Sequence, residues 1–311
     1  MKRIPTSLFV FSAFLIIYIV IIVVIDPYNY LNTGIVNQDI KSRIFFKLND
    51  RRSKIIEYKQ NPSPNLLIGD SRILSLDCDI IKRVTNETYF NFGYGACTIP
   101  EVIDNFWFAT KHQKLRNVCI GISLSMYNKY NNKNLFIDEV RSSSLFNYIF
   151  STTNLKVIFY SVKDLISKEK VVLGVPKMDK DKYWLELINS NSYKFYNLYK
   201  YPDEFYQKLK EIKLYCDENG INLFFFIPPT YIEVQERIKK YSLLKENQRF
   251  IDDIKSLGKL YDFDYDCEFT RNEDNFRDPY HFKKEFCSDI INIIFRDSMA
   301  NQGKAEIIVS N

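Results

Sequence analysis

Short apolar runs recur along this chain, and stretches with helical periodicity separate several of them. Runs of this length, without polar alternation, are typical of strands buried on both faces, as in parallel sheets. Because parallel neighbours need long crossovers, the alternation predicts βαβ units around a central parallel sheet. The predicted strands cover residues 65–69, 88–92, 117–122, 222–227 and 260–263, and the predicted helices cover residues 100–112, 202–219 and 231–257.

The N-terminal stretch at residues 8–25 is uncharged and almost wholly apolar, and it follows Lys2 and Arg3. At 1.5 Å per helical residue it matches the roughly 30 Å of a bilayer core. A signal peptide has a shorter apolar core and a small-residue cleavage site, whereas this run ends at Asp26. We therefore predict an uncleaved transmembrane anchor at residues 1–26, with the cationic end in the cytoplasm and the rest outside. A buried core helix is the alternative.

The remaining chain is predicted to form three segments. Residues 27–64 are expected to be a juxtamembrane stalk with a helix around residues 43–58, residues 65–298 the folded domain, and residues 299–311 a frayed tail. Within the domain, residues 127–201 are rich in Asn, Lys, Ser and Tyr and interrupt the alternation. This segment is predicted to be a helical insertion that serves as a lid or acceptor-binding surface, or else as a solvated connector.

Composition excludes some classes of function. The 43 basic and 38 acidic residues are spread along the chain without a long basic block, which argues against nucleic-acid binding. The chain has only two histidines, and its six cysteines include no C-x-x-C pattern. We therefore expect no structural zinc site. The mechanism inferred below also implies no metal and no organic cofactor.

The first candidate for chemistry is the tetrapeptide Gly69-Asp70-Ser71-Arg72, which directly follows the first predicted strand. Ligands of parallel sheets bind outside the carboxyl ends of the strands. A serine at this turn can expose its hydroxyl, and a following helix start supplies backbone N–H groups for an anionic oxygen. The tripeptide Gly-Asp-Ser alone also fits an ordinary loop or helix N-cap.

The second candidate is the pair Asp278 and His281, close to the C-terminus. A serine hydroxyl is a poor nucleophile until an imidazole takes its proton, and a carboxylate fixes the tautomer of that imidazole. We expect His281 to open a last amphipathic helix that runs to about residue 297. The other histidine, His112, lies in a polar segment and is expected to be exposed at a helix end.

These blocks resemble those of the SGNH hydrolase superfamily, and within it the membrane-anchored acyltransferase-like branch that includes DltD, AlgJ and AlgX. The first family block is matched by Gly69-Asp70-Ser71, and the last block, Asp-x-x-His, by Asp278 and His281. The second block is matched approximately by the segment Asn91-Phe92-Gly93-Tyr94-Gly95-Ala96. The resemblance covers about residues 65–297.

The third block departs from the hydrolase pattern. Where a family esterase shows Gly-x-Asn-Asp, this chain has Gly121-Ile122-Ser123-Leu124, and Asn128 lies nearby but out of register. The side-chain donor to an oxyanion is therefore missing at this position. The acyltransferase-like branch often lacks this block, so the departure favours that branch.

The resemblance implies a three-layer, flavodoxin-like SGNH fold and a set of site residues. Ser71 is the expected nucleophile, His281 the general base and Asp278 its orienting partner. The backbone N–H groups of Ser71 and of Ala96, or Gly95 after a one-residue shift, are expected to hold the oxyanion.

Three further residues are expected to bind substrate, namely Asp70, Arg72 and Asn91. For Arg72 two interpretations are open: the guanidinium contacts a phosphate or carboxylate of a polymer, or it pairs with a nearby Asp.

The implied function is an extracytoplasmic, single-pass membrane O-acyltransferase. It would move an acyl group, acetyl first and D-alanyl second, through an acyl-serine onto hydroxyls of a cell-surface polysaccharide or teichoic-acid-like polymer. A membrane-bound O-acyltransferase is the expected acyl donor and partner. The alternatives are a surface carbohydrate esterase, and a catalytically silent scaffold or glycan-binding subunit on the same fold.

Overall fold

The computed structural model of the protein describes residues 6–36, 50–166, 179–296 and 303–304. The chain divides into two compact units, one from residues 1–61 and 136–176 and the other from residues 62–135 and 177–311. The predicted insertion at residues 127–201 is therefore divided between the two units. Its end, from residue 177 onward, belongs to the unit that contains the sheet.

The described strands are β1 (Asn65–Gly69), β2 (Phe90–Gly93), β3 (Asn117–Gly121), β4 (Asn222–Ile227), β5 (Lys259–Asp262), β6 (Phe276–Asp278), β7 (His281–Phe282) and β8 (Gly303–Lys304). Six of them form a parallel sheet in the order β2-β1-β3-β4-β5-β8, and β6 pairs with β7 in an antiparallel hairpin. The order of the first five is the flavodoxin-like order of doubly wound sheets. The predicted α/β class and its central parallel sheet are confirmed.

The described helices are α1 (Thr6–Ile25), α2 (Asp50–Gln60), α3 (Cys78–Thr85), α4 (Ile99–Thr110), α5 (Phe136–Ser142), α6 (Leu145–Ile149), α7 (Thr152–Ile166), α8 (Lys180–Tyr196), α9 (Asp203–Glu218), α10 (Ile232–Lys240), α11 (Leu244–Leu257), α12 (Glu268–Arg271) and α13 (Cys287–Arg296). Of these, α1, α2, α5, α6 and α7 belong to the first unit.

Helices cover both faces of the sheet, which explains why its strands read as continuous apolar runs. On one face, Phe224 and Phe226 of β4 share a core with Ile81 of α3 and Ile290 of α13. On the other face, α4 lies against β1 and α9 against β4. The sheet is thus the middle of three layers.

Two predicted helices differ in the structure. The predicted helix at residues 231–257 is divided into α10 and α11, because Ser242 has a left-handed backbone with φ 59° that interrupts the helix. The last helix begins at Cys287 rather than at His281, which lies in β7. A 3₁₀ turn at Lys284–Phe286 separates the hairpin from α13.

The first unit has a core of its own around the end of α1. Tyr28, Ile56 and Tyr148 are buried in it together. Asp26 is fully buried, and its carboxylate accepts hydrogen bonds from the hydroxyl of Tyr148 at 2.9 Å and from the N–H of Leu31 at 3.0 Å. The charge that ends the apolar run of the sequence therefore fixes the turn after α1.

Helix α1 coincides with the apolar run of the sequence. Over the described residues, no helix has both the length and the apolarity needed to cross a membrane. The predicted transmembrane segment is thus not found, and the membrane location stays a prediction from the sequence. Lys2, Arg3, the first part of the predicted helix at residues 43–58 and most of the predicted tail lie outside the described residues.

Candidate active site

The two sequence candidates for chemistry meet at the carboxyl edge of the sheet. Ser71 follows the end of β1, and His281 lies in β7 of the hairpin. The Oγ of Ser71 lies 2.7 Å from the Nε2 of His281. The Nδ1 of His281 lies 2.8 Å and 2.9 Å from the two carboxylate oxygens of Asp278.

This geometry gives each group a distinct role. A carboxylate beside Nδ1 favours the tautomer with its proton there, which leaves Nε2 to accept the proton of the Ser71 hydroxyl. Burial alone would raise the pKa of Asp278, but the hydrogen bond and the charge of His281 hold that pKa below its usual range. Asp278 therefore stays ionised, and the three side chains are joined in one line of contacts from the Ser71 hydroxyl through the His281 ring to the Asp278 carboxylate. His112, by contrast, is exposed just past the end of α4.

Three strand ends come unusually close to the turn that carries Ser71. A Cβ atom on Gly69, Gly93 or Gly121 would lie 3.1, 2.8 or 3.0 Å from an atom of the Ile73 side chain. These distances are at or below the limit of real contacts, so the side chain of Ile73 fills the space that three glycines leave open. The glycines at the ends of β1, β2 and β3 thereby allow the turn after Ser71 to pack closely against the sheet.

Asp70 and Arg72, predicted to bind substrate, pair with each other. Nη2 of Arg72 lies 2.6 Å from the Asp70 carboxylate, and its Nε lies 3.0 Å from the same oxygen. Nη2 also donates to the Oγ of Ser123 at 2.6 Å. Burial would raise the pKa of Asp70, but the charge and hydrogen bonds of Arg72 lower it below its usual range. Of the two interpretations of Arg72, the geometry corresponds to the ion pair.

Asn91, also predicted to bind substrate, does not line the cleft. Its amide nitrogen donates to the carbonyls of Ile73 and Leu76, at 3.0 and 3.1 Å, and its amide oxygen accepts from the N–H of Gly93 at 2.8 Å. The side chain is thus occupied by backbone groups. It holds the turn after Ser71 against β2 instead of facing a ligand.

The two alternatives for the second oxyanion donor are placed differently. Ala96 lines the same cleft as Ser71, whereas Gly95 is exposed next to it and does not line the cleft. Ala96 has a left-handed backbone with φ 55°, which is unusual for alanine. Directly after it, Thr98 caps α4 through a capping box with Glu101. The segment therefore turns sharply above the cleft before the helix begins.

The residues of the third block supply no amide to the cleft. Ser123 binds Arg72, as described, and its Oγ lies 3.0 Å from the Oγ of Ser125. Asn128 is buried, and its amide donates to the carbonyl of Phe195 at 2.7 Å. Among the described side chains, the asparagines that do line the cleft are Asn131 and Asn191.

Helix α8 forms one wall of the cleft, which has a volume of about 330 Å³. The face that α8 turns to the cleft carries Tyr183, Leu187, Asn191, Lys194 and Phe195. The neighbouring, buried face, about 100° further around the helix, carries Trp184, Ile188, Ser192 and Tyr196. Sequence reasoning did not assign these residues, although their helical spacing within residues 180–196 was a signal for two functional faces.

A second cavity of about 40 Å³ lies behind the cleft, and both Arg72 and Tyr280 line it. Burial raises the pKa of Asp264 in its wall to about 6, although the hydroxyl of Thr230 donates to this carboxylate at 2.6 Å. A cavity of this size, with several polar walls, has room for one or two water molecules. No group of His, Cys, Asp and Glu side chains suited to a metal ion occurs in the described parts of the chain.

No family model and no curated protein matches this chain. Solved structures do match, and one of them is provisionally described as a platelet activating factor from Streptococcus pneumonia. It has 11% sequence identity and a TM-score of 0.42, and the match covers 84% of this chain and 96% of that chain. This likeness is distant, so the fold is assigned from the strand order given above.

Proposed function

We propose that this protein is a serine-dependent acyl-transfer enzyme of the SGNH type, with Ser71 as nucleophile. The observation that carries the proposal is the line of contacts from Ser71 through His281 to Asp278, with 2.7 Å between Oγ and Nε2. Hydrogen-bond reach between nucleophile and base, with the base oriented by a third group, is the signature of an activated serine.

The reaction proceeds in two halves. Oγ of Ser71 attacks an acyl carbonyl while its proton passes to Nε2 of His281, and the backbone N–H groups of Ser71 and Ala96 stabilise the oxyanion. His281 then protonates the leaving group, which departs and leaves an acyl ester on Ser71. In the second half, His281 deprotonates an acceptor hydroxyl, which attacks the acyl-serine and regenerates the free enzyme.

The proposed acceptor is a hydroxyl of a cell-surface polysaccharide or teichoic-acid-like polymer. The cleft of about 330 Å³ exceeds the needs of a small acyl group, and the amides of Asn131 and Asn191 in its walls suit a sugar or polyol. The resemblance of the sequence blocks supplies the other parts of this proposal: an acetyl or D-alanyl group, a membrane-bound O-acyltransferase as donor, and a location at the cell membrane.

Hydrolysis is the second candidate, in which water replaces the acceptor hydroxyl. The side chain of His281 is 18% exposed, so that water reaches the base from the open cleft. The third reading, a silent scaffold, requires a serine too far from His281 to share a proton. The short distance between Oγ and Nε2 counts against it.

The experiment compares the purified protein with Ser71→Ala and His281→Ala, using an aryl acetate as donor and a glycan as added acceptor. We expect acetyl-glycan to form with wild type, and both variants to lose roughly 10³-fold or more of the rate. Free acetate without acetyl-glycan would instead assign the protein as an esterase.

Labelling with a fluorophosphonate probe provides the control. The hydroxyl of Ser125 lies in the same cleft but hydrogen-bonds to Ser123 and not to His281. The variant Ser125→Ala should therefore still be labelled. Ser71→Ala should not be labelled. Equal labelling of wild type and Ser71→Ala would exclude Ser71 as the nucleophile.

A further inference from the structure

Exposed apolar side chains are concentrated in the first unit. The described residues include 23 exposed large apolar side chains, of which 17 lie in the first unit and six in the second, although the second unit is much longer. Scattered single apolar residues are normal on a soluble surface, but a concentration of this kind marks an interaction surface.

Part of this surface is continuous between α1 and α6. The rings of Tyr18 and Phe150 lie 6.4 Å apart, and the rings of Phe150 and Phe146 lie 4.9 Å apart. Phe146 is 71% exposed. The hydroxyl of Tyr18 donates to the carbonyl of Ile149, so both polar groups are satisfied inside the protein. The surface formed by these rings can therefore lose its water without leaving the Tyr18 hydroxyl or the Ile149 carbonyl unsatisfied.

The outward face of α7 combines apolar and cationic side chains. It carries Leu155, Lys156, Phe159, Lys163 and Ile166, all exposed. Neither lysine forms an ion pair with a described side chain. On the opposite side of the same helix, the side chains of Asn154 and Ile158 are buried. Basic residues along the edge of an apolar stripe are typical of helices that lie at the surface of an anionic membrane.

We propose that α6 and α7, together with α1, form a lipid-contacting surface that binds to an anionic phospholipid bilayer. The exposed apolar residues of α1 favour lipid over a protein partner, because they occupy more than one side of the helix. Val10, Phe14 and Ile17 follow one side, whereas Phe11 and Val20 point to others. A docked protein covers one face of a helix, whereas acyl chains surround it.

This surface goes beyond the N-terminal anchor expected from the sequence, because α6 and α7 lie more than a hundred residues further along the chain. It is also independent of the proposed acyl transfer. The two lysines would attract anionic headgroups, while Phe146 and Phe159 enter the apolar part of the bilayer surface.

The test places a tryptophan at chosen positions of the full-length protein in vesicles that contain brominated phospholipids, which quench tryptophan on contact. Phe146→Trp and Phe159→Trp should add emission that the brominated lipids quench. Leu214→Trp, on the exposed face of α9 in the second unit, is the matched control and should add emission that stays unquenched. The native Trp107 and Trp184 give the baseline.

The charge component is measured by comparing brominated phosphatidylglycerol with brominated phosphatidylcholine. In the Phe159→Trp background, Lys156→Gln and Lys163→Gln should each reduce the preference for phosphatidylglycerol by about fivefold. Thermal melting verifies that each variant is folded.

Two results would overturn the proposal. One is quenching at positions 146 and 159 no stronger than at position 214. The other is shielding of positions 146 and 159 from aqueous iodide in the absence of lipid, increasing with protein concentration, which would identify a second copy of the chain as the occupant.

Discussion

Asp278 is a single carboxylate that contacts three neighbours, one of which is the guanidinium of Arg277 at 3.4 Å. Besides Nδ1 of His281, it accepts the backbone N–H of Tyr280 at 3.0 Å, and it lies at the end of β6 where the hairpin turns. The same side chain therefore shapes the turn and orients the ring. Because its pKa is held below the usual range, Asp278 keeps its charge at any pH at which the protein is assayed under mild conditions.

Replacing Asp278 with Asn should lower kcat by roughly 10³–10⁴-fold, because an amide stabilises the wrong tautomer of His281. The rate of acetyl release from an aryl acetate measures the loss. Asp274→Asn, on the exposed 3₁₀ turn of the same region, should keep the wild-type rate. If acetyl release by the Asp278→Asn variant stays within about tenfold of wild type, Asp278 does not have the proposed role of orienting His281.

Gly93→Ala should reduce the free energy of unfolding by about 1–3 kcal/mol, because the new Cβ would lie 2.8 Å from both Ile73 and the backbone N of Leu74. Urea denaturation measures this loss. In combination with Ile73→Ala, the cost should be less than the sum of the single costs by about 0.5 kcal/mol or more, since the two groups compete for one space. Strict additivity would contradict this packing.

At the scale of single elements, helix α8 separates the core from the cleft. Its buried face closes the unit, and its other face lines the space in front of Ser71. Substrate size should therefore depend on α8 more than on the strand ends. In the proposed function, the strand ends position Ser71, while α8 sets the room available to an acceptor.

Leu187→Trp should narrow the cleft and raise KM for a glycan acceptor by roughly tenfold, while acetyl release from a small aryl ester changes little. The reason is that a small ester needs only the space beside Ser71. Leu185→Trp, exposed on α8 but not lining the cleft, is the matched control. Equal effects of Leu187→Trp on both substrates would show that α8 does not select for acceptor size.

Elements with a strong local signal could be predicted from the sequence, and contacts between distant segments could not. The apolar runs gave β1 and β4 with their bounds, because burial on both faces leaves little other pattern. The start of the last helix was misplaced because Asp278 holds His281 in a hairpin, an interaction that periodicity does not register. The direction of the Asn91 side chain could not be predicted for the same reason. Its amide donates to a backbone carbonyl and does not face a ligand.

The site residues show the same limit. The proximity of Ser71, Asp278 and His281 could be predicted from the order and spacing of the sequence blocks, whereas their catalytic roles stay a proposal. The cleft face of α8 was missed because it carries both polar and apolar residues, and because the neighbouring buried face also contains a polar residue, Ser192. A helix with two functional faces gives a weak amphipathic pattern.

At the scale of the whole molecule, folding places a buried carboxyl group under the site. Burial raises the pKa of Asp264 to about 6, whereas in an unfolded chain a carboxyl of this type titrates near 3.9. Between about pH 4 and pH 6, Asp264 therefore binds more protons in the native protein than in the unfolded chain. The contribution of Asp264 to stability falls as the pH rises through this interval, and the loss is complete above the folded pKa.

The expected loss due to Asp264 is about 2 kcal/mol between pH 4 and pH 7. Asp264→Asn cannot ionise, so the difference in unfolding free energy between variant and wild type should shift in favour of the variant as the pH rises. Urea denaturation at several pH values measures it. Asp252→Asn, exposed on α11, should follow the wild-type profile, and a pH-independent difference for Asp264→Asn would contradict the assignment.

The packing of the Ile73 side chain against three glycines limits which substitutions are possible around the site. Ser71 stands two residues before this side chain, so its position above the sheet is set by an aliphatic wedge together with the hydrogen bonds from the Asn91 amide to the carbonyls of Ile73 and Leu76. A side chain at Gly121 is then tolerated only together with change at the wedge, whereas a Cβ at Gly69 or Gly93 would also meet a backbone atom, the O of Gly121 or the N of Leu74, at 2.8 Å. Gly121 and Ile73 are far apart in the chain and are therefore expected to change together, although neither belongs to the line of contacts from Ser71 to Asp278.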